Sequence, residues 1–378
     1  MKASGERAGA SVILGCCVLA LSFLLASCAR APLRIGFVGP LTGSSSAIGI
    51  GCRNGLLMAL GDSPAAALGK IPKPDIIVMD DRNDPDACLE AFKELKRSGC
   101  ELVVLGTPSH AATLAVPWAI ANGMLVISPT ISSPIAGDDS GLFIRGSLPS
   151  SAFGEALARA AVERFRALKI GIIGDSRNAS YVDALYKGFA LEYDRLGGKV
   201  AFDRSFDSTS GEPEAGIAEL VRAKACDGLL VIAGSTDAAL IAKELERSRA
   251  KVQLFLPPWP LTPDLIDNGG RAVEGAFAAS TVDLSFSGAA GEAFAKAYFG
   301  EYGEKPSFTS MFGYESGAIL RVALAAGSDY SPEAVKRRIH AIGSFRVLQG
   351  TIAFDAEGKV TRTMFLFTIE NGAFKRID

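Results

Sequence analysis

"FVGPLTGSSSAIGIG", residues Phe37–Gly51, continues an apolar run that begins at Leu33. The run reads as a strand, Thr42 to Ser46 as a Gly/Ser loop, and Ile48 onward as a helix. Loops of this kind can cradle phosphate at a helix N-terminus. Here Gly39, Gly43, Gly49 and Gly51 fall outside the G-x-G-x-x-G frame, and no G-x-x-x-x-G-K-[ST] occurs anywhere in the chain. The stretch is therefore read as one wall of a cleft in an α/β protein and not as a nucleotide site.

Working outward, strand-like runs at Arg34–Val38, Ile76–Met79, Leu102–Leu105 and Leu125–Ile127 alternate with helical runs at Ile48–Leu60, Pro85–Arg97 and Ala111–Asn122. Asp84-Pro85 supplies an N-cap and a first-turn proline, and Asn122-Gly123 a helix stop. This alternation predicts a parallel sheet covered on both faces. The pattern restarts at Lys169–Gly174. Tyr181–Leu196, Glu214–Lys224 and Asp237–Arg249 are its helices; Lys199–Phe202, Gly228–Ile232 and Val252–Leu256 are its further strands. Two similar halves are thus expected in series, joined near Phe143–Pro149. Beyond Ala276 come helical runs at Ala289–Tyr302, Thr309–Ala326 and Pro332–Ile342. A β-rich tail follows at Gly350–Phe354, Met364–Ile369 and Ala373–Ile377, with Asn371-Gly372 as a hairpin turn.

The N-terminus carries an address. Lys2 and Arg7 stand against Glu6, Val12 to Leu25 is almost wholly apolar, and Leu25-Ala26-Ser27-Cys28 closes the segment. A basic start, a short apolar run and small residues before a cut describe a secretory signal, too short to read as a spanning helix. Cys28 is either a chance thiol or the acylated first residue of a bacterial lipoprotein, whose lipobox Leu-Ala-Ser-Cys resembles. Acyl chains there would hold the protein to a membrane. Ala29 to Pro32 reads as a tether. Removing the leader moves the net charge from −2 to −3, and no basic block suggests nucleic acid.

Little recommends catalysis. The chain has two distant histidines, His110 and His340, no CxxC beyond the leader and no G-x-S-x-G. No metal or cofactor is expected. Cys88 and Cys100 could pair in an exported chain, or Cys52, Cys88, Cys100 and Cys226 could be buried thiols. Asp80-Asp81 reads as a solvated pair at a strand end. What remains is a rule of geometry: open α/β sheets bind ligands beyond the carboxyl ends of their strands. The loops there are rich in hydroxyls, including Thr42 to Ser46, Ser109, Thr130, Ser132, Ser176, Ser235 and Thr236. Hydroxyls and helix N–H groups can hold a carboxylate without a buried cation.

At this point "LRIGFVGPLTGSSSAIGIGCRNGLLMAL", "MDDRNDPDAC", "VVLGTPSHAATLAVPWAIANGMLVISPT" and "SYVDALYKGFALEYDRLGGKV" resemble the leucine/isoleucine/valine-type periplasmic binding proteins. The likeness runs from about Leu33 to the C-terminus. It implies a type I fold with two Rossmann-like lobes, parallel sheets, a three-crossing hinge and a small-molecule ligand clamped between the lobes. The implied boundaries are 1–27 for the signal peptide, 28–32 for the tether, 33–146 plus 283–348 for lobe 1 and 147–282 plus 349–378 for lobe 2. Crossings are expected near Phe143–Pro149, Ala276–Val282 and Gln349–Thr351. By position, His110 and Ser109 match the carboxylate-binding loop; Thr130, Ile131 and Ser132 match a second contact loop. Tyr181, Ser235 and Thr236 answer from the other lobe, and Tyr314 from the returning segment. The family's ammonium-binding carboxylate is missing, and Trp259 falls at about its position. Asp175, Asp183 or Asp237 could replace it, Trp259 could hold a cation on its ring face, or the ligand has no ammonium. Trp259 could also simply pack among Pro257, Pro258 and Pro260. The aromatic usual near Ile48 is absent too. The resemblance further implies a monomeric, lipid-anchored protein of the periplasm or cell surface that delivers an amino-acid-like, carboxylate or amide ligand to an ABC permease and ATPase. A ligand-sensing receptor acting on a signalling partner is the alternative.

Overall fold

The computed structural model describes residues 32–61, 71–135, 141–209, 212–355 and 357–378. The leader and the expected lipid site at Cys28 lie outside the described residues. Two sheets organise the rest. In the first, β1 (Arg34–Gly39), β2 (Asp75–Asp80), β3 (Leu102–Leu105), β4 (Leu125–Ser128) and β5 (Phe143–Arg145) all run parallel in the order β2-β1-β3-β4-β5. Helices α1 (Ser46–Leu60), α2 (Pro85–Arg97) and α3 (Ala115–Ala121) connect them. Every residue of β3 and β4 is buried, as expected of a strand covered on both faces. Asp84 caps α2 through the Ala87 N–H, with Pro85 at the first helical position. Helix α3 starts four residues later than the Ala111 expected. His110–Leu114 turns instead, and the first helical residue is Ala115.

The chain then repeats the plan. It passes through α4 (Ser150–Arg159), β6 (Lys169–Asp175), α5 (Ala179–Arg195), β7 (Lys199–Phe206), α6 (Ile217–Ala223), β8 (Gly228–Ile232), α7 (Ser235–Arg247), β9 (Gln253–Leu256), α8 (Pro263–Gly269) and β10 (Phe277–Ser280). Helices α9 (Gly288–Tyr302), α10 (Phe308–Ala325) and α11 (Pro332–Ile342) follow. A small antiparallel sheet is formed by β11 (Ser344–Val347), β12 (Gly350–Phe354) and β13 (Val360–Thr361). Finally β14 (Phe365–Glu370) and β15 (Ala373–Arg376) join the second large sheet as an antiparallel edge, giving β15-β14-β10-β9-β8-β6-β7. Asn371 and Gly372 turn this hairpin with φ of +54° and +67°, the left-handed pair a two-residue turn requires. The fold is α/β with two lobes built on parallel sheets, as expected, and the β-rich tail adds an antiparallel edge to the second. The third passage between sheets differs from the expected one. Because Gly350–Phe354 pairs with Ser344–Val347, the chain reaches the second sheet only after Arg362–Met364, not at Gln349–Thr351.

In each lobe the strand order reverses once, between β1 and β3 and between β6 and β8. These switch points open a crevice at the carboxyl edge. Glycines then set how closely the flanking helices approach. A Cβ on Gly55 of α1 would lie 1.9 Å from the Ser310 carbonyl oxygen of α10, and one on Gly313 of α10 would lie 1.8 Å from the Cys52 oxygen. The second lobe repeats this between α4 and α5, where a Cβ on Gly154 would meet Leu185 O at 2.2 Å and one on Gly188 would meet Ser151 O at 2.3 Å. Such backbone contact leaves room for no side chain. The glycines that begin in the opening stretch therefore serve helix packing: a Cβ on Gly49 would strike the Pro40 carbonyl at 2.0 Å.

Candidate functional site

A cleft of about 510 Å³, mouth included, lies where the carboxyl edges of both sheets meet. From the first lobe it takes Ile48 in the first turn of α1, Pro108 and Ser109 after β3, and Thr130 and Ser132 after β4. Phe308 and Phe312 come from α10. From the second it takes Phe153 on α4, Asn178 and Tyr181 after β6, and Pro258 and Trp259 after β9. Ser147 belongs to the passage between the sheets. The two glycine-packed helix pairs thus deliver the aromatic walls: α1 with α10 presents Phe308 and Phe312, and α4 with α5 presents Phe153 and Tyr181.

The polar groups come from backbone-tethered loops. The Thr130 hydroxyl donates to Thr107 O at 2.8 Å, which leaves its lone pairs free to accept. Two backbone donors are weakly used. Ser132 N–H reaches Ser109 Oγ at 3.4 Å and His110 N–H reaches Asn178 Oδ1 at 3.3 Å, both beyond the usual 2.7–3.2 Å range. The His110–Asn178 contact, with Ser133 Oγ to Ser180 Oγ at 3.3 Å, also joins the loops of the two lobes. The buried Tyr181 hydroxyl has no well-formed bond within the protein, and burial pushes its pKa up, so it stays a neutral donor. The Tyr181 ring meets Trp259 edge-to-face at 5.7 Å and 81°. Among the described residues, none that lines the cleft carries a charge.

Of the residues expected from sequence, Ser109, Thr130, Ser132, Tyr181 and Trp259 line this cleft. The others sit elsewhere. Ile131 is wholly buried in the core beneath β4. The His110 side chain is not part of the lining, and burial, with the nearby Arg177 charge, lowers its pKa, so it is neutral at pH 7. Ser235 and Thr236 begin α7 and stay outside the wall. The Trp259 indole nitrogen instead stands 4.0 Å from where a Cβ on Gly234 would be. Tyr314 packs its ring on Phe294 at 5.1 Å. Of the candidate ammonium partners, Asp175 accepts from the Arg177 and Ser208 N–H groups, Asp183 is exposed, and Asp237 lies outside the lining. Asp80 is not simply solvated. It accepts from Leu41 N–H at 2.8 Å and from the Thr42 hydroxyl at 2.7 Å, fixing the Gly-Pro-Leu-Thr turn. Cys52, Cys88, Cys100 and Cys226 are buried free thiols. Sequence reasoning passed over Phe153, Ser147, Asn178, Phe308 and Phe312. An i, i+4 aromatic pair at Phe308 and Phe312 was the one available signal, and it reads equally as core.

Comparison with known proteins decides the family. The family described as periplasmic binding protein matches residues 32–373. The chain belongs to that family. It is a substrate-binding protein and not an enzyme. A Leu/Ile/Val-binding protein homolog from Brucella abortus is 23% identical over 353 residues, covering 92% of each chain. The fold matches LivJ of Streptococcus pneumoniae, solved with isoleucine, at a TM-score of 0.80 with 21% identity, over 92% of this chain and 99% of that one. It matches a Rhodopseudomonas palustris solute-binding protein, solved with 3,4-dihydroxybenzoic acid, at 0.81 with 18% identity, over 92% and 96%.

Proposed function

We propose that this protein captures a small hydrophobic carboxylate without an ammonium group, an aromatic acid by preference, and hands it to an ABC importer. The uncharged cleft carries the reading. A zwitterionic amino acid would bury its ammonium with no carboxylate opposite, and an unpaired buried charge is costly. A lone carboxylate fares better. It can accept from the Ser132 and His110 N–H groups and from the hydroxyls of Ser109 and Tyr181, and hydrogen bonds to an anion are the strong ones. Its apolar body would lie among Phe153, Trp259, Phe308 and Phe312. The 3,4-dihydroxybenzoate bound by one structural relative is of this class; the isoleucine bound by another is not.

The lobes are expected to close over the ligand and shift population toward the closed form. A lipid on Cys28 would keep the protein at the membrane where an importer waits. A melting-temperature screen of benzoate, phenylacetate, benzamide, leucine and isoleucine tests the ligand class. A binder at a hundredfold excess over its Kd adds about 2.7 kcal/mol. Stabilisation by the aryl carboxylates supports the reading, and stabilisation by leucine or isoleucine alone overturns it.

A further inference from the structure

Three passages join the two large sheets: Gly146–Pro149 after β5, Thr281–Ser287 after β10, and Arg362–Met364 before β14. Arg362 opens the third, with a side chain only 4% exposed. One arm of its guanidinium meets Glu315 Oε2 at 2.5 Å, and Glu315 is 3% exposed on α10. The other arm donates to the carbonyl oxygen of Gly146, in the first passage, at 2.9 Å. The same guanidinium stacks 5.0 Å from the centre of the Phe312 ring. Phe312 lines the cleft, and so does Ser147, the next residue after Gly146. One buried cation therefore joins the first passage, the third passage and a wall of the ligand cleft. The second passage has a tie of its own. The Gln349 amide accepts from Asp283 N–H at 2.8 Å and donates to Asp283 O at 2.9 Å.

Stability alone does not explain such a pair. Taking two charges out of water is costly, and apolar replacements of similar volume are often as stable or more so. An apolar pair, however, could not hold Gly146 by a directional bond. Arginine suits this role because its planar fork carries several donors in fixed directions.

We propose that Arg362 is the positioning residue for lobe closure. It bolts the first and third passages to α10 of the first lobe, so within these two passages the backbone rotation of opening is confined to Ser147–Pro149 and Thr363–Met364, while the second passage turns separately. The proposal rests on the reading that the two lobes close on a ligand. The decisive variant is the double substitution Arg362→Met with Glu315→Met, which leaves no buried unpaired charge and so keeps the fold. Arg362→Met alone leaves Glu315 unpartnered and serves as the destabilised comparison. Small-angle scattering of the free double variant should show a larger radius of gyration and a broader distance distribution than wild type. Hydrogen exchange should speed up at 146–149 and 363–364 while β3 and β8 keep wild-type protection. A double variant with wild-type scattering and wild-type exchange in both passages overturns the proposal. Wild type is measured beside it with and without benzoate, after a rise in melting temperature has established binding. If benzoate leaves the wild-type scattering unchanged, lobe closure itself is refuted, and the proposal falls with it.

Discussion

Adding one methyl group at Gly55 tests whether α1 and α10 pack backbone to backbone. The new carbon would stand 1.9 Å from Ser310 O and 2.8 Å from Tyr314 N. Carbon–oxygen contacts relax near 3.3 Å, so the helices must part by about 1.4 Å. Both neighbours are backbone atoms of a helix and cannot rotate away. Overpacking of this kind costs about 1–3 kcal/mol, while alanine returns up to about 1 kcal/mol in helix propensity. With both neighbours fixed the upper part of that cost applies, so the net loss for Gly55→Ala should be about 1–2 kcal/mol, a fall of roughly 1–3 °C in Tm for a chain of this length. Gly300→Ala in α9 is the control, because nothing lies within 4 Å of its added carbon. That variant should gain about 0.5–1 kcal/mol. Thermal melts of both variants beside wild type settle the matter. A Gly55→Ala protein as stable as wild type, or as stable as Gly300→Ala, would refute the close approach.

Other outcomes follow from the site. Truncating Trp259 to alanine should weaken a confirmed aryl carboxylate by about 2 kcal/mol, roughly 30-fold, by titration calorimetry; an unchanged Kd would reduce Trp259 to packing. Burial, followed by the charges of Asp175 and Glu214, pushes the Asp237 carboxyl up to about 6, against about 3.9 in an unfolded chain. The folded state thus holds that proton more tightly, so its contribution to stability is full below about pH 4 and is lost as pH rises through about 6. Asp237→Asn should therefore melt higher than wild type at neutral pH, with the gap closing as pH falls toward about 4. In cells, Cys28→Ala should move the protein from the membrane to the soluble fraction, and retention at the membrane would remove the lipid-anchor reading.

The repeating strand–helix order was legible because parallel strands are continuous apolar runs and their helices are capped by Asp84-Pro85 and Asn122-Gly123. Short elements were not. The strand Phe143–Arg145 has three residues, and Phe277–Ser280 is built of small residues that carry no period. The small sheet was missed because pairing of Ser344–Val347 with Gly350–Phe354 is decided in space, and this moved the third passage by about a dozen residues. The loops after β3, β4, β6 and β9 could be placed by the rule that ligands bind at strand carboxyl ends. Which of their side chains face the cleft could not. Tyr314 shows why. It lies two residues beyond Phe312 on α10, about 200° around the helix, so when Phe312 faces the cleft Tyr314 faces Phe294. The opening glycines were visible from the start. Gly49 is required by the nearby Pro40 carbonyl, but the need for Gly51 depends on Thr309, on a helix more than 250 residues away in sequence.

The protein has two tryptophans, Trp118 on α3 and Trp259 in the cleft. A Trp118→Phe variant therefore carries its sole indole at the proposed binding surface. Titrating this variant with benzoate and with isoleucine, and following indole emission, tests the ligand class where the contact is made. The account predicts a saturable change with benzoate and none with isoleucine; saturation by isoleucine with no response to benzoate would contradict it.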